Sequence, residues 1–132
     1  MALAASVATA IDELVVAYPS AAVTHIEDGQ GGAFVVVDAV PLGESYVQET
    51  TWVGFHIPFN YPFPDVYPHF VRGDLARRDG QALGAGTSGG SFAGRPGEVA
   101  IQLSRSSPRR DATVDTAALK LDRVLVWLRT RR

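Results

Sequence analysis

The chain has 132 residues, room for one hydrophobic core and too few for two comfortable ones, so a single domain over residues 1–132 is expected. Apolar residues make up 46% and charged residues 20%, as in ordinary globular proteins, and no apolar run approaches the about 18 residues that a membrane-crossing helix needs. The net charge is −2, and the absence of cysteine excludes disulfides, cysteine-ligated metal and thiol nucleophiles together.

The opening stretch, residues 1–20, lacks a basic leader region, and Asp12 and Glu13 interrupt its apolar part. It does not read as a secretory signal, and a cytoplasmic location with no membrane association is expected. Charge is unevenly spread. Residues 1–71 carry eight acids and no Lys or Arg, whereas residues 72–132 carry all twelve basic residues and six acids. Halves of one domain usually interleave, so this polarity is expected to mix in space rather than make a two-faced surface.

In chain order, Leu3, Val7, Ile11, Leu14, Val15 and Tyr18 recur at helical spacing and predict a helix that Pro19 ends. Residues 22–26 and 33–40 are β-branched runs joined by a turn rich in Asp and Gly, which predicts a hairpin. Residues 46–57 alternate, with Val47, Val53, Phe55 and Ile57 on one side and Gln48, Thr50 and His56 on the other. Next comes Asn60–Phe70, and four of the eight prolines (Pro58, Pro62, Pro64, Pro68) fall in or beside it. Proline fixes φ and lacks the amide donor, so this segment predicts a stiff extended connection with Tyr61 and Phe63 packed inward. Residues 66–71 predict a fourth, edge-like strand.

Residues 72–97 hold eight of the thirteen glycines and read as one long flexible loop, a flap over the site. The Gly86–Gly90 stretch has no preceding strand or following helix, which removes a nucleophile elbow, and no Gly-Lys-Ser/Thr ending, which removes a phosphate loop. Residues 98–103 form a short apolar run. Thr113 or Asp115 is the expected cap of a last helix with Ala117, Leu121, Val124, Leu125 and Leu128 on its buried face. No internal repeat is present. The fold class is therefore α+β: an N-terminal helix, a four-stranded antiparallel meander, a Gly-rich loop and a C-terminal helix.

This order, together with the stretch Phe55–Val71, resembles the ubiquitin-conjugating (UBC) fold over nearly the whole chain. The closer resemblance is to a divergent bacterial branch. That branch has a proline segment built on Tyr-Pro, then a Gly-rich stretch, then a Trp-Ser-Arg-like tripeptide where eukaryotic enzymes have the catalytic cysteine. Residues 57–65, 77–86 and 102–107 occupy those places here, with Leu103 where the branch often has Trp. Two departures stand out. The His-Pro-Asn motif of the ordinary enzymes would fall within residues 73–80 and is absent, and no thiol exists at the cysteine position, near Gln102.

The resemblance implies a ubiquitin-like protein and its activating enzyme as partners, in a bacterial conjugation pathway of a kind often linked to phage defence. It implies no cofactor. It leaves two readings open. In one, the chain is an unconventional conjugating enzyme that carries the ubiquitin-like C-terminus as a serine oxyester. In the other, it is a catalytically inactive UBC variant that binds or scaffolds a ubiquitin-like protein or its activating enzyme. The candidate catalytic residues are Ser104, Ser106 and Ser107, with Arg105 to stabilise an oxyanion. A serine hydroxyl needs an adjacent base. Of the three histidines, His25 and His56 fall on strands away from the site, and His69 alone is placed to approach it. Asp111 and Asp115 are acidic candidates beside it. Arg105, Arg109 and Arg110 form a basic patch without interleaved aromatics, so nucleic acid is not an expected partner. With so few His and no Cys, no metal site is expected.

Overall fold

The computed structural model describes residues 2–105 and 111–130. Helix α1 (Ala5–Ala17) is followed by strands β1 (Ala22–Glu27), β2 (Ala33–Pro41), β3 (Thr50–Ile57), β4 (His69–Arg72), β5 (Thr87–Gly90) and β6 (Ala100–Leu103), and then by helix α2 (Ala117–Arg129). The six strands form one antiparallel sheet in the order β1-β2-β3-β4-β6-β5. The α+β class and both terminal helices follow the sequence reading; the strand count does not, because six strands are present rather than four.

Alternation sorts the strand residues onto two faces. Val35, Val37, Val53, Phe55, Val71 and Leu103 are fully buried on the inner face, against Val7, Ala10 and Leu14 of α1 and Leu121, Val124, Leu125 and Leu128 of α2. Every expected residue of the α2 face is buried, and on α1 Val15 instead stands half exposed. The outer face carries a smaller cluster of Val36, Trp52, Phe92 and Ala100, flanked by Phe34 and Phe70. Phe92 reaches back from the connection after β5 and lies over Gly54, where any Cβ would meet its ring. That glycine is there because a ring must approach the strand backbone closely.

The hairpin turn is set by Asp28, whose Oδ1 accepts from the N–H of Gln30 at 2.7 Å and of Gly32 at 3.0 Å. Such an Asx arrangement replaces ladder bonds that the turn cannot make. Gly29 and Gly31 take φ of 80° and 90°, the region open to glycine.

Four expectations are corrected. The β4 segment is interior, paired with both β3 and β6, and not an edge. Residues 72–97 are not one loop, since Thr87–Gly90 pair with β6 as the terminal strand. Phe63 is 78% exposed while Tyr61 is buried. The segment is turned rather than extended, with N–H···O bonds from Tyr61 to Pro58 and from Phe63 to Asn60, and these turns send the two rings to different sides. Finally, the cap of α2 is Thr116, whose Oγ1 accepts from Leu119 N–H at 3.2 Å.

The proline segment braces α2 by polar contacts. Tyr61 Oη accepts from Ala117 N–H at 2.9 Å, satisfying one of the open donors of that helix's first turn. Asp65 holds Lys120 Nζ at 3.0 and 3.1 Å. The Lys120 side chain is only 7% exposed, so the pair ties the segment to the core rather than to solvent.

Candidate functional site

Ser104 follows directly on β6. Its N–H donates to Gly86 O at 2.8 Å, which joins the end of β6 to the start of β5. Leu103 is buried on the inner face, so alternation sends the Ser104 side chain outward with Gln102. The Gln102 amide accordingly donates to Ser104 Oγ at 3.3 Å. No carboxylate or imidazole is hydrogen-bonded to Ser104 among the described residues. Arg105 lies with its guanidinium 5.2 Å from the centre of the Trp127 ring, on α2. That geometry is a cation–π contact, and it draws the arginine toward the helix layer, away from the face that carries the serine hydroxyl. Ser106 and Ser107 lie outside the described residues.

His69 stands opposite Leu103 in the β4–β6 register and is fully buried on the inner face. Its ring lies 5.0 Å from that of Phe55. Neither ring nitrogen has a hydrogen-bond partner among the described residues. Burial, with the Lys120 ammonium nearby, holds its pKa down to about 3. The ring is basic in neither position nor proton affinity: it faces the layer opposite to Ser104 Oγ and stays neutral at physiological pH. His25 is on the exposed β1 edge, and His56 Nε2 is 2.7 Å from Asp28 Oδ2 at the hairpin turn.

The two acidic candidates serve α2. Asp115 Oδ2 accepts from Asp111 N–H at 2.6 Å, and Asp115 Oδ1 is 2.9 Å from Arg123. Asp111 Oδ1 accepts from the N–H and hydroxyl of Thr113. Among the described residues, then, Ser104 is on the outer face, the His69 imidazole in the core and the two carboxylates at the helix start.

A second feature escaped the sequence reading. An open cleft of about 630 Å³ lies on the outer face beside Trp52, lined among others by Asp38, Arg72, Asp74, Arg95 and Glu98. Arg95 lies 5.0 Å over the Trp52 ring. Its Nε is 3.3 Å from Glu98 and its Nη2 is 3.6 Å from Asp38, ion-pair distances without the alignment of a hydrogen bond. Arg72 is held by both carboxylate oxygens of Asp74. Both arginines of the cleft are paired with carboxylates there, and no group of His, Asp and Glu able to hold a metal ion occurs among the described residues. No sequence signal pointed there, because its walls come from β2, β3, β4 and the Gly-rich connection, which meet only in the folded sheet.

The chain matches no protein-family model, and neither a curated protein nor a solved structure matches it. Among the described residues no helix is long and apolar enough to cross a membrane.

Proposed function

We propose that the chain is a UBC-like protein-binding module of a ubiquitin-like conjugation pathway, engaging a ubiquitin-like protein or its activating enzyme without carrying the ester itself. The observation behind this reading is that Ser104 bonds to no base among the described residues: its hydroxyl meets the Gln102 amide, and His69 faces the other layer. A serine without a base is a weak nucleophile at neutral pH. The missing thiol and missing His-Pro-Asn point the same way. The proline segment, bonded to the start of α2, supplies a stiff frame for docking.

The second reading is the serine oxyester. Its support is the place of Ser104 at the end of β6, partly exposed and backed by a run that continues with Ser106 and Ser107 in the sequence. Intact mass spectrometry separates the two. The chain is mixed with cognate activating enzyme, ubiquitin-like protein and ATP, alongside Ser104→Ala and a Ser106→Ala/Ser107→Ala double variant. The module reading expects a noncovalent complex by size exclusion and no adduct while the activating enzyme is visibly charged. An adduct that resists thiols, yields to mild base and vanishes with one serine replacement would establish the oxyester. Absence of any complex would remove the pathway assignment.

A further inference from the structure

The cleft beside Trp52 holds charged groups whose hydrogen-bonding capacity is unused. Arg72 is the contrast: its guanidinium donates to both carboxylate oxygens of Asp74 and to Thr50 O. The Arg95 guanidinium makes no hydrogen bond to a described residue. Its Nε is closed off from solvent without a partner, and its Nη2 is 3.6 Å from Asp38, beyond hydrogen-bond reach. Asp38 and Glu98 both approach from the Nε and Nη2 side, and both are half exposed. Nη1 and the second N–H of Nη2 are the donors left for a ligand.

These groups are held in place before any ligand arrives. Arg95 stacks over Trp52 at 5.0 Å. Its backbone lies between two turns, Arg95 N–H to Phe92 O at 3.0 Å and Glu98 N–H to Arg95 O at 3.3 Å, and Phe92 is itself buried on the sheet. Asp38 falls where β2 shifts its register against β3, between Val37 and Val40. An irregularity of that kind re-aims a side chain. Groups fixed in advance lower the ordering cost of binding.

Charge selects the ligand. Arg72 and Asp74 cancel, which leaves one guanidinium beside two carboxylates. A plain carboxylate meets that acidic surplus as repulsion. A plain amine finds the carboxylates but leaves the Nη donors unused beside a like charge. A ligand with both signs side by side satisfies all three groups. In an α-amino acid the ammonium nitrogen lies roughly 3 Å from the carboxylate oxygens. The opposite charges of the cleft are likewise neighbours, at 3.3 and 3.6 Å. Val99 lines the same cleft and is 75% exposed, an apolar surface for the ligand's side chain. The volume of about 630 Å³ admits a ligand of that size.

We propose that the cleft binds a free α-amino acid with an apolar side chain. Its carboxylate lies on the Nη groups of Arg95, its ammonium beside Asp38 and Glu98, and its side chain against Val99. This small-molecule site goes beyond the protein-binding reading above and does not depend on it.

The test records proton–nitrogen NMR spectra of the full chain against each standard L-amino acid. Apolar amino acids are expected to give saturable shifts at the Trp52 indole N–H and at the Gly73 and Val99 amides, with millimolar or tighter affinity. Trp127, on α2, should stay unmoved and is the internal control. For the amino acid that binds best, the carboxamide, the N-acetyl acid and the parent amine without its carboxylate should each bind roughly tenfold more weakly, the scale of one lost charge-assisted contact. Arg95→Met should remove the preference for the free acid over the carboxamide. Glu98→Gln, at an exposed carboxylate, should weaken the free amino acid and spare the N-acetyl acid. Should Arg95→Met unfold, Glu98→Gln and the ligand analogues on the wild type still decide. No saturable shift with any amino acid, shifts away from the cleft, or equal affinity for the carboxamide, the N-acetyl acid or the parent amine would each overturn the proposal. No ubiquitin-like protein takes part, so an error in the pathway assignment leaves these outcomes unchanged, and failure here leaves the module reading standing.

Discussion

His69 combines two costs in one side chain: full burial and two ring nitrogens without partners among the described residues. An unsatisfied buried polar group typically costs about 1–3 kcal/mol. His69→Leu should therefore raise stability at pH 7.5 by about 1–2 kcal/mol, read from urea unfolding. The pH dependence follows from the lowered pKa, about 3 against 6.5 for a free imidazole. The unfolded chain takes up a proton below pH 6.5 where the folded chain does not. Stability is thus full above that pH and falls, by up to about 1.4 kcal/mol per unit, as pH drops through the window between 6.5 and 3. Between pH 7.5 and 5 the wild type should lose stability and His69→Leu should lose markedly less; parallel slopes would show that the imidazole is not the cause. Tyr46 is the opposite case. Its buried hydroxyl donates to Leu128 O at 2.6 Å and satisfies a carbonyl in the last turn of α2. Tyr46→Phe should cost about 1–2 kcal/mol by the same assay.

Among the elements, the proline segment and the connection after β5 carry more of the architecture than their composition announces. Asp65 anchors Lys120, a lysine buried on α2. Removing one member of a mostly buried pair takes away compensation from the other charge, so Asp65→Ala should destabilise by about 3 kcal/mol, whereas Lys120→Met combined with Asp65→Ala should recover much of that loss. A double-mutant cycle in urea measures both. On the outer face, Phe92 is clamped between Gly54 and Gly94, and a Cβ at either glycine would meet its ring. Gly54→Ala should displace the ring and quench the protection of β3 amides in hydrogen exchange; Phe92→Ala should cost about 3–5 kcal/mol. If the connection after β5 were the free flap that its glycines suggest, neither change would register.

At the scale of the molecule, the acidic first half and basic second half do intermix. Lys120 pairs with Asp65 and Arg95 with Asp38, each across the divide. Other ion pairs, such as Arg72–Asp74 and Arg77–Asp79, are local, each with an exposed carboxylate. Surface pairs contribute little and are screened by salt. Raising NaCl from low to moderate ionic strength should consequently change the unfolding free energy by less than about 1 kcal/mol. A larger drop would mean that charge polarity, not the apolar core, holds the halves together.

The elements with a local signal are legible in the chain: α1 and α2, with the apolar stripe of α2 correct at Ala117, Leu121, Val124, Leu125 and Leu128, and the β1–β2 hairpin through its Asp-Gly turn. Periodicity and turn chemistry are properties of neighbouring residues, so they are legible before folding. The rest depends on contacts between distant parts of the chain. Thr87–Gly90, with two glycines in four residues, has little strand propensity, and becomes β5 because β6 offers a complementary row of backbone groups. His69 reads as a candidate base in the chain, and is neutral because its register opposite Leu103 turns it into the core. Ser104 and Arg105 are adjacent in sequence yet part to opposite layers, because a strand end alternates its side chains. Which layer a residue joins depends on partners far along the chain, and those partners are chosen only when the sheet closes on its helices.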